Sequence, residues 1–82
     1  MIQRIKQVTP LPDYCLSVHF DNGRHVIYDV KEDMHLPGYD ALRNVFGLFQ
    51  QVQLDESRTC VFWNEAIDLP SDTIYEYGKN AS

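Results

Sequence analysis

Residues 14–30 read YCLSVHFDNGRHVIYDV, two runs of alternating side chains on either side of Asp21-Asn22-Gly23. In the first run Tyr14, Leu16, Val18 and Phe20 fall on one face of an extended strand, and Cys15, Ser17 and His19 fall on the other. Successive side chains of a strand point to opposite sides. An Asp-Asn-Gly segment between two such runs signals a β-hairpin. The pattern also sets the loop length. A two-residue Asn22-Gly23 loop pairs Phe20 with His25 and Leu16 with Asp29, which puts charge opposite the apolar face. A three-residue Asp21-Asn22-Gly23 loop pairs Phe20 with Arg24, Val18 with Val26, Leu16 with Tyr28 and Tyr14 with Val30, so the apolar residues share a face. A slip of one residue reverses every side chain, and the buried face therefore selects the three-residue loop. Gly23 supplies the left-handed position, where the absence of a Cβ removes the steric cost.

Upstream, residues 2–9 (IQRIKQVT) carry the β-branched Ile2, Ile5 and Val8 and read as an edge strand, although no clean two-residue face is visible. Pro10 and Pro12 predict a turn that interrupts the ladder, because proline has no amide to donate. Downstream, residues 31–37 form a polar connection. A short helix is predicted at about residues 39–46, with Leu42, Val45, Phe46 and Phe49 spaced to make one apolar stripe against the sheet. Gly47 ends or breaks it. Residues 51–54 (QVQL) alternate with Val52 and Leu54 inward. Residues 59–63 (TCVFW) are almost wholly apolar and read as a central strand covered on both faces. Ile67 and Leu69 predict a further strand ended by Pro70, and residues 71–77 a helical turn capped by Ser71 or Asp72. Residues 78–82 are expected to fray. The fold class is α+β: a small antiparallel sheet of hairpins with one short helix packed on it, forming a single domain with its ordered core at about residues 2–77.

Composition narrows the function. The 82 residues are 44% hydrophobic and 12% aromatic, which suits a folded domain and not a disordered tail. The net charge of −5 is unevenly spread. Residues 1–31 hold four basic and three acidic side chains, whereas residues 32–82 hold three basic and nine acidic. Such a chain repels phosphate backbones, so direct nucleic-acid contact is not expected, and a basic partner would be steered to the second half. Cys15 and Cys60 form no C-x-x-C pair and sit in apolar strand patterns, which suggests reduced thiols and a cytoplasmic location. Arg4 and Lys6 interrupt the early apolar residues, against a secretory leader, and no apolar run approaches membrane-span length.

Several stretches together resemble one family. They run from Val8-Thr9-Pro10-Leu11-Pro12-Asp13-Tyr14 through Phe20-Asp21-Asn22-Gly23 and Tyr28-Asp29-Val30. They continue with Val52-Gln53-Leu54-Asp55 and Val61-Phe62-Trp63, and close with Ile67-Asp68-Leu69-Pro70-Ser71-Asp72-Thr73-Ile74-Tyr75-Glu76. Across residues 2 to 77 the chain is similar to the small bacterial domain-of-unknown-function family 2442. The resemblance implies a compact α+β fold and a bacterial source, and no established activity. Some similar proteins carry a helix-turn-helix region after this domain. Family members also look like partners of other small proteins, in arrangements like toxin–antitoxin pairs.

The residues that could carry chemistry are few. His19 and His25 face each other across the hairpin in the three-residue-loop register, and two imidazoles so placed are candidate metal ligands. His35 and Asp21 are further ligand candidates by proximity alone. Cys15 and His19 share a face but lie four residues apart, too far for a thiol–imidazole pair. The carboxylate pairs Asp68/Asp72, Glu65/Asp68 and Asp55/Glu56 lack the depth of cleft that acid–base catalysis needs. No phosphate-binding loop or nucleophile elbow is present, and no motif requires a cofactor. Aromatic residues mixed with acids, as in Trp63, Glu65, Asp68, Asp72, Tyr75, Glu76 and Tyr77, suit a protein-binding patch. The expectation is a non-enzymatic protein–protein interaction module, an acidic, antitoxin-like partner of a basic protein. Alternatives are a transcriptional regulator acting with a DNA-binding partner and a small-molecule or metal binder at His19/His25. A homodimer formed by strand addition at an open sheet edge is a further partner the pattern allows.

Overall fold

A computed structural model describes residues 3–81, so Ile2 and Ser82, which bound the predicted first strand and the predicted tail, lie outside the described residues. The chain order is β1 (Ile5–Leu11), β2 (Cys15–Phe20), β3 (His25–Asp29), α1 (Ala41–Asn44), β4 (Gln53–Leu54), β5 (Cys60–Asn64), β6 (Ile67–Pro70), α2 (Ser71–Tyr77) and β7 (Lys79–Asn80). The strands form two antiparallel sheets, ordered β1-β2-β3-β7 and β4-β5-β6, and this is an α+β arrangement as the sequence predicts. Both sheets feed one apolar core. The first contributes Ile5, Leu16, Val18, Phe20, Val26 and Tyr28, and the second Val61, Trp63, Ile67 and Leu69. Leu42, Phe49 and Ile74 close it.

The β2–β3 hairpin has the register of the three-residue loop. Val18 lies opposite Val26 and Leu16 opposite Tyr28, and Gly23 takes φ +93°. The Phe20 amide donates to the Arg24 carbonyl at 2.9 Å and the Gly23 amide to the Phe20 carbonyl at 3.0 Å. The missing alternation in β1 has a local cause. A bulge between Ile5 and Gln7 inserts one residue, so Ile5 and Val8, three apart, both turn toward the core.

The structure corrects several expectations. β1 runs through Pro10, which pairs with Leu16. An edge strand tolerates proline there because its free side needs no donor. The turn falls later, at residues 12–14. The helix predicted at 39–46 is confined to Ala41–Asn44: Val45 is extended (φ −99°, ψ 114°) and Gly47 has φ +79°. Its stripe is therefore split, with Leu42 and Phe49 buried and Val45 and Phe46 exposed. The longer helix is α2. Pro70 is its N-cap residue, neither Ser71 nor Asp72 caps it, and the buried Ser71 hydroxyl has no hydrogen-bond partner among the described residues. β5 is central but alternates, with Val61 and Trp63 inward and Cys60 and Phe62 half-buried. The tail predicted to fray instead supplies β7, whose Lys79 and Asn80 pair with Ile27 and Val26.

Two predictions follow from the α2–β7 corner. A Cβ on Gly78 would overlap Val26 Cγ1 and lie 2.7 Å from the Ile74 carbonyl. Gly78→Ala is expected to lower stability by about 1–3 kcal/mol, as overpacking does, read as a reduced urea midpoint. Ser71→Ala removes an unsatisfied buried hydroxyl and is expected to leave the midpoint unchanged or raise it, by up to about 1 kcal/mol. Loss of a cap would instead cost about 1 kcal/mol.

Candidate functional site

The seven predicted surface residues do not form one patch. Trp63 belongs to the core: it is 4% exposed, its indole N–H donates to the Phe49 carbonyl at 3.0 Å, and its ring stacks on Phe49 at 5.8 Å. Its bulk and strand position favour burial, and the Phe49 carbonyl satisfies its one polar atom. Glu65 sits in the tight β5–β6 turn. Asp68 lies on the exposed side of β6 opposite Phe62, and its backbone carbonyl accepts from the Tyr39 hydroxyl. Burial and nearby carboxylates push the Tyr39 phenol up to about 12. Tyr77 is exposed and borders a hollow of about 220 Å³ with Cys15, Ile27, Asp29, Glu32 and Lys79.

Asp72, Tyr75 and Glu76 do come together. They lie on one side of α2, spaced three and four residues apart as helical neighbours are. With Gln3 and Arg24 they line an open depression of about 500 Å³. The β2–β3 turn supplies its other wall. Tyr75 packs edge-on against Phe20, with ring centroids 4.9 Å apart. Its hydroxyl accepts from the Asn22 side-chain amide at 3.0 Å, and the Arg24 guanidinium lies 4.2 Å from its ring centre. Arg24 is itself anchored, donating through Nε to Asn80 Oδ1 at 2.9 Å. The Asn22 bond, followed by Arg24, holds the Tyr75 phenol below its ordinary value. Among the described residues Asp72 and Glu76 make no ion pair, whereas Asp13 and Asp29 bind Lys31, and Asp21 binds Arg58. Asn22 and Arg24 are members of this site that the sequence reading missed, because it treated the hairpin turn as punctuation.

His19 and His25 pair across β2 and β3 as the register requires, with rings stacked 3.9 Å apart and 12° from parallel. His25 Nε2 is 2.6 Å from Ser17 Oγ. Among the described residues no three His, Cys, Asp or Glu side chains are grouped to hold a metal ion. Asp21, a proposed extra ligand, is held by Arg58 at 2.8 Å. Both cysteines are free and half-buried, and burial pushes the Cys60 thiol up.

A third feature comes from the split stripe. Phe46 is fully exposed and Val45 is 51% exposed. They stand at the rim of a hollow of about 320 Å³, lined also by Leu11, Pro12, Tyr14, Leu42 and Phe49. One wall is backbone under strain. Asp13 and Tyr14, neither of them glycine, have φ of 67° and 60°. Lys31 braces this turn, its ammonium donating to the Asp13 carbonyl at 2.6 Å and to the Asp13 carboxylate at 3.0 Å.

Fold and surface together define a small α+β domain of two antiparallel sheets with an acidic, aromatic face on α2. The chain belongs to the family described as "Protein of unknown function (DUF2442)", whose model matches residues 5–80. No curated protein and no solved structure matches it. No helix among the described residues is long and apolar enough to cross a membrane.

The Tyr75 arrangement is directly testable. Asn22→Ala is expected to raise the Tyr75 phenol pKa toward the ordinary tyrosine range, read from tyrosinate absorbance during alkaline titration. A lowered phenol pKa adds stability that is fully present above the unfolded tyrosine pKa, about 10, and is lost as pH falls through the folded value. Stability near neutral pH is therefore unaffected by this ionisation.

Proposed function

We propose that this chain is a non-enzymatic interaction module that receives a basic protein partner on the exposed face of α2. The observation that carries the reading is the depression built by Asp72, Tyr75 and Glu76 against Arg24 and Gln3. It supplies what a protein interface uses at its centre and rim. Tyr75 is a rigid aromatic already fixed by Phe20, Asn22 and Arg24, so little side-chain entropy is lost when a partner covers it. The two carboxylates beside it have no ion-pair partner among the described residues. A lysine or arginine from a partner can pair with them.

Long-range charge supports the same orientation. The excess of nine acidic over three basic side chains in residues 32–82 attracts a cationic protein toward this half of the sequence. Such steering raises the association rate more than the final affinity, and salt weakens it. The antitoxin-like role is the particular form of this reading: an acidic domain neutralising or positioning a basic companion.

The test is affinity purification of the tagged chain from its native host, run beside the Asp72→Lys/Glu76→Lys double variant. A stoichiometric basic protein is expected with the parent chain, and the purified pair is expected to weaken at high salt. The double reversal is expected to reduce affinity at least about tenfold, since like-charge contacts cost several kcal/mol. Equal capture by both chains, or no co-purifying protein, overturns the reading.

A further inference from the structure

We propose that Asn22 is a self-modifying residue. Its side-chain amide is lost as ammonia after attack by the Gly23 backbone nitrogen, with the Tyr75 hydroxyl as the acid that releases it, and aspartate or isoaspartate is left in the hairpin turn.

The sequence supplies the nucleophile and its access. A backbone nitrogen can attack the side chain of the asparagine before it and close a cyclic imide, and a Cβ on the attacking residue hinders the approach. Asn22 is followed by glycine, which has none. Both residues are exposed, and no atom lies within 4 Å of the place a Gly23 Cβ would occupy.

The fold adds two groups that the dipeptide lacks. The Arg24 amide donates to Asn22 Oδ1 at 2.9 Å. That donor polarises the carbonyl under attack and faces the oxygen on which negative charge develops. On the other side of the same amide, Nδ2 lies 3.0 Å from the Tyr75 hydroxyl. In the resting amide Nδ2 donates to the phenol oxygen. In the tetrahedral intermediate Nδ2 is an amine with a free lone pair, so the contact reverses and the phenol O–H protonates it. The Asn22 bond, followed by Arg24, already holds the phenol more acidic than an ordinary tyrosine.

The reaction needs only water. The Gly23 amide leaves the Phe20 carbonyl, its partner at 3.0 Å, and gives its proton to solvent. The nitrogen bonds to Asn22 Cγ, the Cγ–Nδ2 bond breaks, and Nδ2 departs as ammonia with the proton from Tyr75. The tyrosinate regains a proton from solvent. Water then opens the imide at one of its two carbonyls, giving aspartate or isoaspartate. Either product removes the donor from the Tyr75 hydroxyl and places a carboxylate there. Isoaspartate also lengthens the main chain by a methylene, in the turn whose length sets the β2–β3 register.

Asn64 is an internal comparison. Its Oδ1 accepts from the Ala66 amide at 2.8 Å in the same way. The next residue is Glu65, which carries a Cβ, and among the described residues no hydroxyl meets the Asn64 amide nitrogen. The modification needs no partner and stands apart from the basic-partner reading.

The experiment incubates the full chain and Tyr75→Phe for weeks at mildly alkaline pH, folded and in urea. Digestion and mass spectrometry follow the replacement of the Asn22 amide by an acid, and isoaspartate is detected by enzymatic methylation. Asn22 is expected to convert in the folded parent while Asn64 persists. Tyr75→Phe keeps the ring against Phe20 and removes the hydroxyl. It is expected to slow conversion at least about tenfold, within the roughly hundredfold that a placed general acid supplies. Urea is expected to bring both chains to one slow rate. An Asn22 that stays intact in the folded parent overturns the proposal. So does a folded variant that converts at the parent rate, or a parent that converts no faster folded than in urea.

Discussion

The pairing of Val18 with Val26 is the constraint from which the rest of the molecule is built. The β2 and β3 strands can present Leu16, Val18 and Phe20 and Val26 and Tyr28 to one core only if the connecting turn holds three residues. That turn is possible because Gly23 takes φ +93°. The buried hairpin face then fixes the position of everything laid on it. Tyr75 of α2 packs against Phe20. Gly78, without a side chain, brings the chain close to Val26 so that β7 can pair with β3. The outer face of the same hairpin stacks His19 on His25, and the turn itself provides Arg24 to the α2 depression and Asn22 to the Tyr75 hydroxyl. One register choice thus sets the core, the closing helix and half of the candidate binding surface.

The hairpin was legible because alternation and turn chemistry pointed the same way. β6 and the centrality of β5 were legible for the same reason, through Ile67, Leu69 and the apolar run at residues 59–63. The misreadings have separate physical causes. A single inserted residue at Lys6 erases the two-residue period of β1, and Pro10, whose missing amide signals a turn, stays in the strand because β1 is an edge. The residue 42–49 stripe matched helical spacing well, but spacing does not report where the backbone leaves the helix. Val45 turns extended and Gly47 left-handed, so two of the four residues face outward. The tail gave no periodic signal because a two-residue strand is too short to show one.

The candidate site was half legible. Composition located the acid and the aromatics on residues 63–77 but could not separate Trp63, whose indole is satisfied by a backbone carbonyl, from Tyr75, whose hydroxyl stays at the surface. It could not see the opposite wall at all, since Arg24 and Asn22 are about fifty residues away along the chain. Interaction surfaces assembled from distant segments share this property: the side chains are visible in the sequence, but their grouping depends on tertiary register.

The chain contains one tryptophan, and its placement has a practical consequence. The Trp63 indole is hydrogen-bonded to the Phe49 carbonyl and stacked on the Phe49 ring, and Phe49 also lines the hollow beside Phe46. The molecule thus carries an intrinsic fluorophore linked by two contacts to Phe49, a residue of the hollow beside Phe46. Its emission reports on core burial and, through Phe49, on occupancy of the hollow, without any attached label.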